Sequence, residues 1–442
     1  PGCMLARFRP FRGIRFATER VGDMNGAVAP PYDVITPAYL AELYAASPFN
    51  VTRLILNRDG HEQAGKLFRT WLAEGVLVSD DEPGFYLYTQ DFESDGPRRR
   101  GGVIGALHLE EFSAGVVRPH ERTFDHHKRD RLALTSEVRA NLSPIFGLFS
   151  NPDFKPAPPG GWDDEPDLDV TQEGVRHRMW RITDPAAIEE IEKSARDHTI
   201  FIADGHHRYE TALNYYKFCH PGCGLPPGAS APGDSENPEA HVMAFLATFE
   251  DPGMVILPTH REMLSSGGAD HARLAEALNN DFEVTKFERG EDGKRALLAA
   301  LQGSSDKCNA FGVALRDLDC YLLLVRPVDT RCAGGSALAG LETTVLHSLV
   351  LEAAMQAAGG GRELELSYTV DAGAMIGRVD SALSEGGFVM RATRSEQIAD
   401  VCMAGELMPP KSTYFYPKLL TGLVFHSLEK AVTNSVRKRA NG

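Results

Sequence analysis

Two hydrophobic rhythms alternate along the chain. TIFIADG (199–205) and HVMAFLATFE (241–250) are apolar at nearly every position, which predicts buried strands. HEQAGKLFRTWLAEGVL (61–77) and DPAAIEEIEKSAR (184–196) instead place apolar residues three and four apart, which predicts amphipathic helices. Asp184 is the expected N-cap of the second, with Pro185 at its first position. GFYLYTQDF (84–92), GGVIGALHLEEF (101–112) and VRHRMWRIT (175–183) predict further strands, and SDGPRRR (94–100) a hairpin turn. VTRLILN (51–57) also reads as a strand, from its β-branched and apolar content. Past residue 263, HARLAEALNN, GKRALLAALQ and LETTVLHSLVLEAAMQAAG predict helices. AFGVALRD, CYLLLVRP and FVMRAT predict strands there, and TYFYPKLLTGLVF a final strand or helix.

This alternation is that of an α/β protein of the mixed α+β kind. FKPAPPGGWDDEPD (154–167) is rich in Pro, Gly and Asp and marks a long loop or boundary. The expected regions are an N-terminal α/β region at 1–153, a central module at 168–262 and a C-terminal α/β region at 263–442. PGCGLPPGASAPGDSENPEA (221–240) reads as an insertion within the module.

Charge removes some function classes. A formal net charge of −15 argues against a nucleic-acid binder, which needs a basic face. No run of about 18 apolar residues exists, so no membrane span is expected. The seven cysteines are odd in number and scattered, which points to a reducing compartment and a cytoplasmic protein. Cys219 and Cys223 in CHPGC are too few for a zinc site. Small-molecule chemistry remains, served by local basic pockets.

IFIADGHHRYETAL (200–213) is the most informative stretch. A strand ends at Asp204-Gly205 and a helix follows. The first N–H groups of a helix have no intrahelical partner and share the positive end of its dipole, so they form an anion site. Gly205 permits a positive φ or a close ligand approach. Arg208 offers a bidentate phosphate contact, and His206 and His207 offer hydrogen bonds, proton shuttling or metal binding. Asp204 is expected to cap the helix or to hold Mg²⁺ through water. The plain alternative is a capped helix with two solvated histidines.

Three further segments carry candidate chemistry. VRPHERTFDHHKRDR (117–131) holds His120 and Glu121 as candidate general bases and Arg122 as a phosphate partner, with His126 and His127 nearby. MPPKSTYFYPK (408–418) sets Lys411, Ser412 and Thr413 together, which suits phosphate or magnesium-phosphate contact, although the P-loop frame is missing. APPYDVIT (29–36) offers Asp33 as an acid or magnesium ligand. Each has a plain alternative: a charged surface loop, a hydroxyl-bonded turn and a Pro-Pro turn. His260 and His347 read as structural. The dinucleotide fingerprint and the serine nucleophile elbow are both absent.

The stretch ITDPAAIEEIEKSARDHTIFIADGHHRYETAL resembles the core cassette of the ParB/sulfiredoxin-like superfamily, in which archaeal free-serine kinases carry a DGHHR turn of this kind. More broadly, FRPFRGIRF, VAPPYDVITP, SPFNVTRLIL, VRPHERT, RANLSPIFGL, GVRHRMWRI, IADGHHRYETAL, VILPTHR and MPPKSTYFYPKLLTGL are similar to the blocks of a widespread bacterial and archaeal family catalogued as a domain of unknown function. Genes of that family often stand beside serine-biosynthesis genes.

The resemblance implies a nucleotide-dependent phosphotransferase acting on a small hydroxylated metabolite, in its sharpest form a free-serine kinase. The DGHHR turn would hold the phosphates, and Lys411 with Arg122 would neutralise charge in the transition state. Glu121, His120 or Asp33 would act as base. Mg²⁺ would arrive with ATP or ADP, and no tightly bound cofactor is expected. Two alternatives stand beside it. One is a metal-dependent phosphatase or other hydrolase using His120, His126, His127, His206 and His207. The other is a nucleotide-binding regulatory module without turnover. The oligomeric state is left open.

Overall fold

The computed structural model describes residues 5–121, 125–225, 237–265, 267–328, 336–357 and 364–430. The chain is a mixed α/β protein. Its contacts divide it into two compact units. One takes the described residues within Pro1–Pro119, Thr123–Met254 and Pro417–Gly442, and the other those within His120–Arg122 and Val255–Tyr416.

The first unit is built on a nine-stranded sheet. Its strands in chain order are β1 (Phe8–Arg9), β2 (Phe85–Glu93), β3 (Pro97–His108), β4 (Val117–Pro119) and β5 (Ile145–Phe149). They continue as β6 (Leu168–Gln172), β7 (Val175–Ile182), β8 (Ile200–Asp204) and β9 (His241–Thr248). The spatial order is β4-β8-β5-β9-β3-β2-β7-β6, with β1 added against β3. Pairing is antiparallel except between β4 and β8 and between β5 and β9. The regions expected at 1–153 and 168–262 therefore share one sheet.

β9 is buried at all eight positions, as its unbroken apolar run requires of a central strand. Val242, Ala244 and Leu246 face a core that also receives Ile191 and Ala195 of helix α2 (Pro185–Arg196) and Tyr209, Ala212 and Leu213 of helix α3 (His206–Cys219). Asp184 caps α2 by accepting from Ala187 N at 2.9 Å. Helix α1 (Asp125–Val138) precedes both in the chain, so the segment considered as a charged loop enters a regular helix.

VTRLILN is a correction. Thr52–Ile55 is a single helical turn, because the Asn50 carboxamide accepts from Thr52 N at 3.0 Å and from Thr52 Oγ1 at 2.5 Å. That Asx turn, one residue ahead of the N-cap Val51, directs the chain into a helical turn where propensity alone favours a strand.

The second unit carries a six-stranded antiparallel sheet. Its strands are β10 (His260–Ser265), β11 (Glu283–Glu288), β12 (Cys308–Leu315), β13 (Cys320–Pro327), β14 (Glu365–Thr369) and β15 (Gly386–Val389), in the order β11-β13-β12-β15-β10-β14. Both faces of this sheet are apolar. Phe311, Val313 and Leu315 of β12 enter one core, and Ala310 and Ala314 the other. The period of two separates the sets, and each core is closed by helices. The helix expected over 341–359 is interrupted: Leu346–Leu351 is a π-helical segment between Glu342–Val345 and Glu352–Ala357.

Candidate functional site

The DGHHR turn lies in the first unit. β8 is buried until its last residue, Asp204, and α3 opens at Gly205 with φ 88° and ψ 27°. A side chain at Gly205 would be strained by that φ, and its Cβ would stand 3.0 Å from the Arg208 guanidinium carbon. Asp204 does not cap the helix. Its Oδ2 accepts from Arg208 Nη2 at 2.6 Å, and its Oδ1 accepts from Lys418 Nζ at 2.7 Å. Burial pushes the Asp204 pKa up, but Lys418 and Arg208, aided by His206, outweigh it and hold the carboxyl well below the usual carboxylate range.

One carboxylate between two cations leaves a net positive charge beside the N-terminal end of α3. Arg208 also donates through Nη1 to the carbonyl of Pro144 and to Ser143 Oγ at 3.4 Å. Its guanidinium is thus fixed by protein acceptors, and its contribution to an anion is a positioned charge more than an unattached fork. His206 is buried at the first position of α3, and His207 follows it half-buried. Tyr32 feels the same cluster. Burial and Asp33 raise its pKa, Arg208 and Arg131 lower it, and Asp204 raises it. Asp33 itself is exposed on a short 3₁₀ turn, Tyr32–Val34.

Lys418 was not foreseen. It is the second lysine of MPPKSTYFYPK, seven residues after the candidate Lys411. Buried side chains of the sheet hold its backbone. Gln90 Nε2 donates to Lys418 O at 2.9 Å, and Arg100 donates to the carbonyl of Pro417. Tyr88 Oη accepts from Leu420 N at 3.3 Å. Arg100 is fully buried, and burial lowers its pKa to about 10.

The second unit gathers other candidates. Glu121 bridges Met408 in parallel register, and Met408 N donates to His120 O at 2.8 Å. This strand-like pairing sets His120 and Glu121 against Lys411, Ser412 and Thr413. Glu121 Oε2 accepts from Lys411 N at 2.9 Å, and its Oε1 accepts from Thr413 Oγ1 at 3.3 Å. His120 Nε2 lies 2.8 Å from Thr413 Oγ1 and 3.4 Å from Glu121 Oε1. His120 is fully buried and Thr413 is buried. Lys411 has φ 60°, an unusual value for a lysine, and Ser412 Oγ donates to Pro409 O at 2.6 Å. The result is a carboxylate, an imidazole and a hydroxyl in one hydrogen-bonded group, a set suited to proton transfer. Arg261, also unforeseen, is fully buried and donates to Lys411 O at 3.1 Å. His260 is structural as expected: its Nδ1 accepts from Met390 N at 3.1 Å, and burial lowers its pKa to about 4.

Arg122 lies outside the described residues, as do the side chains of His126 and His127. Among the described residues no group of three or more His, Cys, Asp or Glu side chains could hold a metal ion. Both oxygens of Asp204 are already bonded to cations. The charges of Arg208 and Lys418 at that carboxylate oppose a metal ion bound directly there.

Residues 8–349 match the family described as protein of unknown function, DUF1015. The chain belongs to this family. No curated protein matches it. Among solved structures it is similar to a conserved hypothetical protein from Pyrococcus furiosus, at 16% identity and a TM-score of 0.34, over 69% of this chain and 89% of that one. It is also similar to a free serine kinase in complex with AMP, at 14% identity and a TM-score of 0.34, over 68% and 83% of the two chains. A third is SbnI with a C-terminal truncation from Staphylococcus aureus, at 10% identity and a TM-score of 0.33, over 72% and 85%. The DGHHR turn and the His120–Glu121 pair of this DUF1015 chain fall inside the matched segment, whereas Lys411, Thr413 and Lys418 follow it.

Proposed function

We propose that this protein is a nucleotide-dependent phosphotransferase acting on a small hydroxylated metabolite. The observation that carries the reading is the turn at 204–208: a left-handed glycine opening a helix, beside one carboxylate held between Arg208 and Lys418. A positive helix end with a net cationic cluster favours a phosphate chain over a neutral ligand. Here the first N–H groups of α3 bind phosphate oxygens, and Arg208 and Lys418 offset charge that develops during transfer. Magnesium would arrive with the nucleotide and offset phosphate charge, and Asp204 is the residue that would contact it through water.

Within the second unit, Glu121 is the best-oriented candidate for a general base. Its carboxylate is oriented by Lys411 N and Thr413 Oγ1, with His120 on the same hydroxyl. Asp33 has no comparable support. Free serine is the acceptor that the resemblance of the DGHHR turn implies. Calorimetric titration with ATP, ADP and AMP, with and without Mg²⁺, tests the first half, and ADP release with a panel of small alcohols and hydroxy acids tests the second. The absence of nucleotide binding at millimolar concentration refutes the reading.

A further inference from the structure

Arg261 of β10 is fully buried. Burial lowers its pKa to about 10, with Tyr368 and Glu121 acting the other way, so the side chain is a cation at neutral pH. A buried charge is costly unless it is paired and hydrogen-bonded. The bonds of this one go to backbone and sulfur. Nη1 donates to the carbonyl of Thr259 and to Met390 Sδ at 3.0 Å, and Nη2 donates to Lys411 O at 3.1 Å. Nε is buried without a partner among the described residues, and the guanidinium carbon stands 5.6 Å from the centre of the Tyr368 ring. An apolar side chain would fill this place at less cost, so stability does not account for an arginine.

Lys411 connects this cation to Glu121. Its carbonyl accepts from Arg261, and its N–H donates to Glu121 Oε2 at 2.9 Å, so one residue is held from both sides. It is held at φ 60°, a conformation that persists where neighbours over-determine it. Lys411 is exposed, so packing of its own side chain does not impose that φ. The φ and ψ of a residue relate its N–H to its carbonyl. Releasing the carbonyl therefore frees the N–H to turn away from Glu121.

We infer that Arg261 is a positioning residue: by holding the Lys411 carbonyl it keeps the Lys411 N–H on Glu121 and so sets the direction of that carboxylate. Its expected effect on turnover rests on the transfer reaction proposed above, with Glu121 as the base.

The test uses the full chain with Arg261→Gln, which removes the charge and shortens the reach, and Arg261→Lys, which keeps the charge and one donor group. Hydrogen–deuterium exchange reads the clamp without turnover. Pro409 and Pro410 have no amide proton, so the segment 409–413 reports Lys411, Ser412 and Thr413. Arg261→Gln speeds exchange there about tenfold or more, the effect of losing a hydrogen bond to a charged group, and leaves β12 as protected as in wild type. Steady-state ADP release reads catalysis. Arg261→Gln lowers kcat about 10²-fold, as a misplacement of about 1 Å does. KM for the nucleotide stays within about threefold, and Arg261→Lys restores kcat to within about tenfold of wild type. In the Glu121→Gln background Arg261→Gln changes kcat less than about threefold, because the carboxylate it positions is gone. If a melting scan shows that Arg261→Gln does not fold, Arg261→Lys takes its place and must show the same pattern at smaller amplitude. Unchanged exchange at 409–413, or equal losses of kcat in both backgrounds, overturns the inference. Faster exchange at 409–413 with no turnover by wild type supports the clamp and overturns the transfer reading alone.

Discussion

Arg208→Ala is the perturbation that separates a strut from a ligand. The guanidinium ties three points of the first unit: Asp204 Oδ2 at 2.6 Å, Ser143 Oγ at 3.4 Å and the Pro144 carbonyl. The side chains of Arg208 and Asp204 are 14% and 21% exposed, so the pair is neither a surface bridge nor fully dry. Breaking a buried pair costs about 3–5 kcal/mol, mostly from the charge left behind. Here Asp204 keeps Lys418, so that charge is not stranded, and the loss falls to about 2–3 kcal/mol, the range of one charged hydrogen bond with an orphaned carbonyl. At about 2 °C per kcal/mol for a unit of this size, the first melting transition drops by roughly 4–6 °C.

The binding effect has a separate origin. The mutation takes the cluster from net positive to neutral. A unit charge about 6 Å from a phosphate, at an effective dielectric near 20, is worth about 2.8 kcal/mol before screening. Screening by salt brings this to about 1.5–2.5 kcal/mol, or roughly a tenfold to 70-fold weaker ADP dissociation constant. Calorimetry and a melting scan on the same preparation read both quantities. Lost affinity with an unchanged melting temperature would mean that Arg208 leaves its protein acceptors to bind ligand, against the geometry described. A lower melting temperature with unchanged ADP affinity would remove the anion site and leave a structural arginine.

Gly205→Ala places a side chain at φ 88° against the Arg208 guanidinium, and should cost about 1–3 kcal/mol of stability together with most of the ADP affinity, read by the same pair of measurements. Glu121→Gln should lower kcat by about 10²–10⁴-fold and leave the ADP dissociation constant unchanged, as steady-state ADP release beside calorimetry will show. Acid should destabilise the first unit early. Burial lowers the pKa of His177 to about 3, of His241 to about 3 and of His426 to about 4. Each folded value lies below the unfolded one of about 6.5, so the unfolded chain takes up the proton first; the contribution is complete above about pH 6.5 and is lost as pH falls toward 4 and 3, at about 1.4 kcal/mol per pH unit for each residue. Urea midpoints at pH 7 and 5 check the slope, and His177→Gln should flatten it.

The fold was most legible where one physical rule acted alone. The unbroken apolar run of 242–247 is too short for a buried helix and reads as a strand buried on both faces, and Asp184 with Pro185 marks a helix start that the structure keeps. Rules in competition gave errors. In VTRLILN the β-branched content points one way and the Asn50 turn the other, and the turn prevails because the Asn50 carboxamide binds both the N–H and the hydroxyl of Thr52. The π-helical segment at 346–351 had no sequence signal, since its apolar spacing fits an ordinary helix equally well.

The candidate site was legible by residue type but not by pairing. The strand-to-helix turn marks Asp204, Gly205 and Arg208 in the sequence, but not the pairing of both Asp204 oxygens with cations, because one partner lies 214 positions away. That pairing changes the chemistry. An unpaired Asp204 would repel a phosphate and favour a metal; a doubly paired one fixes two cations and leaves a net positive charge for an anion. The same logic applies to Glu121, which follows a histidine in sequence but acquires its orientation from Lys411 N and Thr413, some 290 positions on. In a chain of net charge −15, an anionic substrate meets long-range repulsion, so only cations fixed locally can hold it. The buried scaffold of Gln90 and Arg100 beneath Lys418 is what fixing one of them requires: two side chains with no exposure, spent on the backbone carbonyls of Pro417 and Lys418 so that one ammonium group stays at Asp204.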